Sequence, residues 1–512
     1  MRKKFIHRVF SRTTIVATLI LLQIAVLTFA IWQLSSYFVY VYAAFEVLSL
    51  VVVVWMVGHK DNPSYKLAWT IPILLFPVFG GLFYLLFGGK KATGTFRRRM
   101  ERAFISWAPS LVQDDRVMKE ISAIDRSAAN QARYLAACST YPLHKNTMTR
   151  YLSPGEVKFE ALCEELEKAE HYIFLEYFII GEGVMWGRVL DILRRKAAQG
   201  VDVRVMYDDV GCSHTLPSGY HLVLRKMGIK CMVFNPFRPV MSLMLNNRDH
   251  RKIAVIDGHT GFTGGINLAD EYINEYERFG RWKDAAIMLK GEAVWNLTIM
   301  FLQVWNFMSG VEENYSRFMP HVHHPEPFES DGFVLPYGDS PLDEENVGES
   351  AYLNIIGRAK DYIYINTPYL IVDNELVTAL CLAAKSGVDV RIVTPAIPDK
   401  WFVHMVTQAY YQQLVEAGVK IYEFVPGFIH SKTFVADDEI GVVGTINLDY
   451  RSLYLHFECA VWLYRTRSVM EIKEDFLETL TLCRQISLED CTNIGFFKRI
   501  LRGVLRAFAP LM

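Results

Sequence analysis

The chain repeats itself. Residues 169–180, AEHYIFLEYFII, are followed by a helix-length stretch and then by GVDVRVMYDD at 200–209. Residues 359–372, AKDYIYINTPYLIV, are followed in the same way by GVDVRIVTP at 387–395. Each copy reads as strand, helix, strand, because β-rich apolar runs flank a segment long enough for a crossover helix. A further helix and strand follow, with LRKMGIKCMVFNP ending at Pro236 and LVEAGVKIYEFVP ending at Pro426. Such a duplication predicts two like α/β lobes.

After each Pro comes a second repeated element, DHRKIAVIDGHTGFTGGIN at 249–267 and IHSKTFVADDEIGVVGTIN at 429–447. Both copies place a lysine at +2 from the histidine, an aspartate at +7, a glycine at +14 and an asparagine at +17. His250 and Lys252 lie two apart, as do His430 and Lys432, so on a strand each pair shares a face. Imidazole and ammonium thus stand side by side, twice. One copy would pass as hydrogen-bonding residues on a sheet with an outward lysine; two copies in register argue for chemistry. Asp257 and Asp437 lie five residues beyond the lysines. That odd offset turns them off the active face, and they read as structural members of the motif.

The remaining features set the surroundings. With 512 residues the chain has room for several domains, and its net charge of −1 gives no basic field for nucleic acid. Eight cysteines occur without a C-x-x-C pair, so no zinc ribbon or disulfide framework is indicated. Three apolar stretches, 13–32, 37–57 and 67–88, are candidate membrane spans. The first lacks a small-x-small cleavage site and reads as a retained anchor rather than a signal peptide. The third is interrupted by Pro72, Pro77 and Gly80. Basic clusters before the first stretch and after the third both favour the cytoplasm, which three full crossings would forbid. The third stretch is therefore expected to be re-entrant, the protein multi-pass in the cell membrane, and the lobes cytoplasmic. HVHHPEP at 321–327 reads as a solvated loop rather than a metal site.

The doubled H-x-K-x-x-x-x-D pattern with its downstream glycine and asparagine resembles the phospholipase D superfamily, over residues 150–490. The apolar stretch NPSYKLAWTIPILLFPVFGGLFYLLFG and DEYINEYERFGRWKDAAIMLKGEAV are similar to the bacterial cardiolipin synthases of that superfamily. The resemblance implies an α/β fold of two phospholipase D-like α/β/α lobes about a pseudo-two-fold axis, preceded by transmembrane helices. It implies catalytic motifs His250, Lys252, Asp257 and His430, Lys432, Asp437. One histidine, with His250 preferred, forms a phosphohistidine and the other serves as acid and base. Lys252, Lys432, Asn267 and Asn447 would then offset phosphoryl charge, with no metal or cofactor. Thr445 would add a hydroxyl to the phosphate pocket where Gly265 offers only backbone. By family position, Asp284 is expected to orient His250 and Glu458 to orient His430. The implied activity is cardiolipin synthesis, with phosphatidylglycerol as donor and acceptor and glycerol released. The alternatives are a membrane phospholipase D or a lipid-binding scaffold with a vestigial motif.

The expected organisation is a membrane anchor over 1–90, a basic connector over 91–150 and a first lobe over 151–310. A linker over 311–348, a second lobe over 349–490 and an amphipathic segment over 491–512 follow. In that last segment Phe497, Leu501, Val504 and Phe508 fall on one helical stripe, with Lys498, Arg499, Arg502 and Arg506 largely elsewhere. That suits either a helix lying on anionic lipid or an ordinary docking helix.

Overall fold

A computed structural model describes residues 18, 21–29, 38–60, 62–77, 79–88, 97, 98, 100, 102, 104, 107–236, 247–311, 313–343 and 345–511. The chain divides into two compact units, one of residues 1–92, 237–245 and 507–512, the other of 93–236 and 246–506.

In the first unit, helix α1 (Phe38–Val57) contains the one stretch among the described residues, Val39–Val57, long and apolar enough to cross a membrane. Of the first candidate span, residues 18 and 21–29 are helical; its remainder and the basic cluster before it lie outside the described residues. The third candidate span is two helices, α2 (Pro63–Leu75) and α3 (Gly80–Phe87). At 13 and 8 residues, neither reaches the length of a crossing. The break falls where Pro77 and Gly80 interrupt the apolar run, and α2 tolerates Pro72 inside it. A small core of Met56, Tyr65, Trp69, Ile73 and Tyr84 joins the three helices, with Leu511 packed on it.

The second unit holds two sheets. The first contains β1 (Thr147–Leu152), β2 (Tyr172–Tyr177), β3 (Asp202–Asp208), β4 (Lys230–Phe234), β5 (Lys252–Ile256), β6 (Thr260–Gly264) and β7 (Ala286–Gly291). Their order is β1-β7-β6-β5-β2-β3-β4. The second contains β8 (Phe333–Asp339), β9 (Tyr362–Asn366), β10 (Asp389–Pro395), β11 (Lys420–Phe424), β12 (Thr433–Ala436), β13 (Ile440–Gly444), β14 (Glu458–Tyr464) and β15 (Cys483–Gln485). Its order, β8-β14-β13-β12-β9-β10-β11, is the same with β15 added at the edge. In both, the repeated strand–helix–strand stretch is a parallel pair, β2 with β3 and β9 with β10. Helices α4 (Val184–Ala198) and α6 (Asn374–Lys385) make the crossovers.

Two segments play larger parts than their sequences suggest. The span read as a linker supplies β8, which pairs antiparallel with β14 at an edge where Pro336 is tolerated. Between the last strand of the first sheet and the first strand of the second runs α5 (Val294–Ser309), with every residue from Val294 to Asn306 buried. It packs on β2, β5 and β8, which explains an apolar run without a polar face. The sheets meet where β6 and β7 face β13 and β14.

Candidate active site

The motif strands are anchored from behind. Asp257 and Asp437 follow β5 and β12 at φ 48° and 53°, in the left-handed region. The Asp257 carboxylate accepts backbone N–H groups of Glu170, His171 and Tyr172 at 2.8, 2.8 and 2.7 Å. Asp437 accepts those of Lys360, Asp361 and Tyr362 at 2.8, 2.9 and 3.0 Å. Each aspartate thereby ties the far end of its motif strand to the start of the central strand, pointing away from the histidines as the offset predicts.

The histidines face the seam between the lobes. The His250 N–H donates to Phe457 O at 2.9 Å, and the Phe457 N–H donates to Arg248 O at 2.8 Å. This short pairing brings Glu458 to the imidazole, whose Nδ1 lies 2.9 and 3.0 Å from its two carboxylate oxygens. Opposite, Gly427–Ile429 pairs in parallel with Arg281–Lys283, and the His430 N–H donates to Lys283 O at 2.7 Å. Asp284 then meets His430 Nδ1 at 2.6 Å. The expected pairing is therefore reversed: Glu458 orients His250 and Asp284 orients His430. Glu458 opens β14 and Asp284 lies two residues before β7, and the parallel pairing across the seam delivers each to the other lobe's imidazole.

The neighbouring positions also differ from expectation. The Thr445 hydroxyl donates to Glu458 and accepts the Cys459 N–H at 3.0 Å, so it supports the carboxylate rather than facing a phosphate. A Cβ at Gly265 would lie 2.1 Å from Asp284 Oδ1, so the missing side chain makes room for that carboxylate. The Asn267 side chain accepts the Ile179 N–H at 3.0 Å and donates to Tyr272 at 2.7 Å, which holds the amide in place. Asn447 is buried, and its Oδ1 has no hydrogen-bond partner among the described residues.

Both lysines are buried; Lys252 donates to the His250 carbonyl at 2.6 Å, and Lys432 donates to the His430 carbonyl. Burial lowers Lys252 to about 8 and Lys432 to about 7. It also drives His250 down to about 3, aided by Lys252 and resisted by Glu458, and His430 down to about 4, aided by Lys432. Burial alone would raise the Glu458 carboxyl, but its interaction with His250 prevails and holds it below the usual range. The site thus contains neutral imidazoles against an ionised carboxylate. With Nδ1–H given to the carboxylate, Nε2 keeps its lone pair.

Spacing did not reveal the rings beside each histidine. Trp282 lies 5.3 Å from His430 between ring centroids, and His456 lies 5.6 Å from His250. Each stands two residues before the orienting carboxylate, a signal readable only once the crossed pairing is known. His250, His456 and Glu458 present ligand atoms within 4.8 Å of one another, a group able to hold a metal ion, though the doubled motif supplies its own cations.

Comparison with known proteins agrees with this geometry. Residues 162–294 and 352–480 match the family model described as cardiolipin synthase, PLD-like domain, and residues 47–89 match a phospholipase D-nuclease N-terminal model. An uncharacterized protein of Streptococcus mutans is 44% identical over 90% of this chain and 99% of its own. The cardiolipin synthase of Geobacillus kaustophilus is 36% identical over 91% of this chain and 92% of its own. That of Halalkalibacterium halodurans is 34% identical over 96% of this chain and 99% of its own. The crystal structure of Haemophilus influenzae phosphatidylserine synthase shares the fold, with TM-score 0.54 at 13% identity over 75% of this chain and 98% of that one.

Proposed function

Because the chain belongs to the phospholipase D-like cardiolipin synthase family, we propose that it transfers a phosphatidyl group from one phosphatidylglycerol to another, giving cardiolipin and glycerol. The observation that carries this is the pair of buried histidines, each fixed at Nδ1 by a carboxylate from the opposite lobe. In this reading His250 Nε2 attacks phosphorus, the N–P bond forms and the P–O bond to glycerol breaks. His430 gives the departing oxygen its proton, which requires a charged imidazole; the bound phosphodiester's negative charge opposes the burial that otherwise keeps it neutral. The second lipid's hydroxyl then gives its proton to His430, attacks phosphorus and releases His250. Lys252 and Lys432 stand beside the histidines to balance charge developing on the phosphoryl oxygens.

The same reading places the protein in the cell membrane as a multi-pass protein with its lobes on the cytoplasmic side. Support comes from α1, from the broken α2–α3 pair, and from helix α7 (Phe496–Phe508). Phe496, Phe497, Ile500, Leu501 and Val504 are exposed there, whereas Arg502 is buried against Gln408. An apolar stripe turned outward suits a lipid surface.

The test is to supply purified protein with phosphatidylglycerol vesicles and quantify cardiolipin, glycerol and phosphatidic acid by mass spectrometry. Equal cardiolipin and glycerol without phosphatidic acid is expected. Phosphatidic acid as the main product would replace transfer with hydrolysis.

A further inference from the structure

The crossed pairing that delivers Glu458 to His250 delivers His456 as well. Phe457 forms the bridge with Asp249, and the residues on either side of it, His456 and Glu458, turn to the same side. The His456 side chain is only 10% exposed, and neither ring nitrogen has a hydrogen-bond partner among the described residues. Its Nδ1 is 3.8 Å from Glu458 Oε1, beyond hydrogen-bond reach, because that carboxylate is already taken by His250 and Thr445. An imidazole this covered, near Glu458 but with neither nitrogen hydrogen-bonded among the described residues, lacks a close partner that a ligand beside His250 would supply.

The other half repeats the feature with different chemistry. Lys283 answers to Phe457 in the crossed pairing, so Trp282 answers to His456. The Trp282 Nε1 is also buried without a hydrogen-bond partner. Two N–H groups without an acceptor among the described residues therefore flank the two histidines. One group in this reaction offers only acceptors and must sit between both histidines: the phosphodiester.

We propose that His456 is a further catalytic residue, donating a hydrogen bond to a non-bridging phosphoryl oxygen, with the Trp282 indole donating to the other from the opposite side. The two donors differ in kind. The indole offers one N–H and no acceptor, whereas the imidazole offers an N–H from one nitrogen and a lone pair on the other.

This inference rests on the proposed transfer reaction, and the experiment separates the two. Vesicles of phosphatidylglycerol are given to the wild type, His456→Phe and His456→Gln, with cardiolipin formation followed from pH 5.5 to 8.5. Thermal midpoints of all three establish equal folding. His456→Phe keeps the ring and removes both nitrogens, and kcat should fall roughly a hundredfold, the usual cost of one lost donor to a developing oxyanion. His456→Gln, which keeps an N–H donor, should recover much of the rate. Unchanged kcat in His456→Phe, or equal losses in Phe and Gln variants, overturns the inference. A wild type that makes no cardiolipin overturns the transfer reading instead.

Discussion

Behind His250, the first lobe buries charge. Arg251 lies 2.7 Å from Glu176 and 3.0 Å from Asp249, all three within the core. The second lobe carries Ser431, Asn366 and Ile429 at the matching positions, where Asn366 donates to Thr433 at 3.1 Å. The motif residues themselves are alike: histidine, lysine on its own carbonyl, aspartate capping the strand. Duplication has thus kept the motif histidine, lysine and aspartate and released the residues that support them. Glu458 with Thr445 and Asp284 with Gly265 make the same point one layer nearer the site, since one carboxylate gains a hydroxyl partner and the other gains space.

The comparison breaks most sharply at the carboxylates. Glu458→Gln and Asp284→Asn should each lower kcat by about 100- to 1000-fold, because the amide can hold the wrong imidazole tautomer. The assignment of lobes is read separately by nitrogen-15 NMR of histidine. Glu458→Gln should move the His250 Nδ1 resonance and Asp284→Asn that of His430; the opposite pattern would restore the uncrossed arrangement.

The buried charges offer the next contrast. Arg251→Ala leaves Asp249 and Glu176 without their cation and should cost about 3–5 kcal/mol in chemical denaturation. Ser431→Ala, whose hydroxyl has no hydrogen-bond partner among the described residues, should stay within about 0.5 kcal/mol. Similar losses at both positions would mean that the lobes are supported alike after all.

A further contrast concerns pH. Burial holds His250 at about 3 and His430 at about 4, against an ordinary value of 6.5. From about pH 4 to 6.5 the unfolded chain binds these protons and the folded chain does not, so stability rises with pH across that window. The thermal midpoint should climb accordingly, and more shallowly in a His250→Gln, His430→Gln double variant. An unchanged slope would show that neither histidine is neutral in the folded state.

Much of this was legible in residue order. Period-two spacing placed His250 beside Lys252 and turned Asp257 away, because a strand alternates faces whatever surrounds it. The crossover pattern was equally local. What stayed hidden depends on contacts far apart in sequence. The pairing of Arg281–Lys283 with Gly427–Ile429 spans only three residues and has no propensity signature. Without it, a carboxylate within one lobe's sequence is naturally assigned to that lobe's histidine. The strand Phe333–Asp339 was hidden for a related reason, since a proline-containing edge segment between lobes reads as a connection until its partner β14 is known.

The crossing also has a consequence for the chain as it is made. His250 waits for a residue 208 positions later, and Asp284 waits for one 146 positions later. While the ribosome is still extending the second half, the first carries a lysine and a histidine but no group to set the imidazole. A partly synthesised chain beside lipid is therefore chemically mute. Reactivity arrives only when both halves are complete and joined, so the finished interface acts as a coincidence detector for the nascent enzyme.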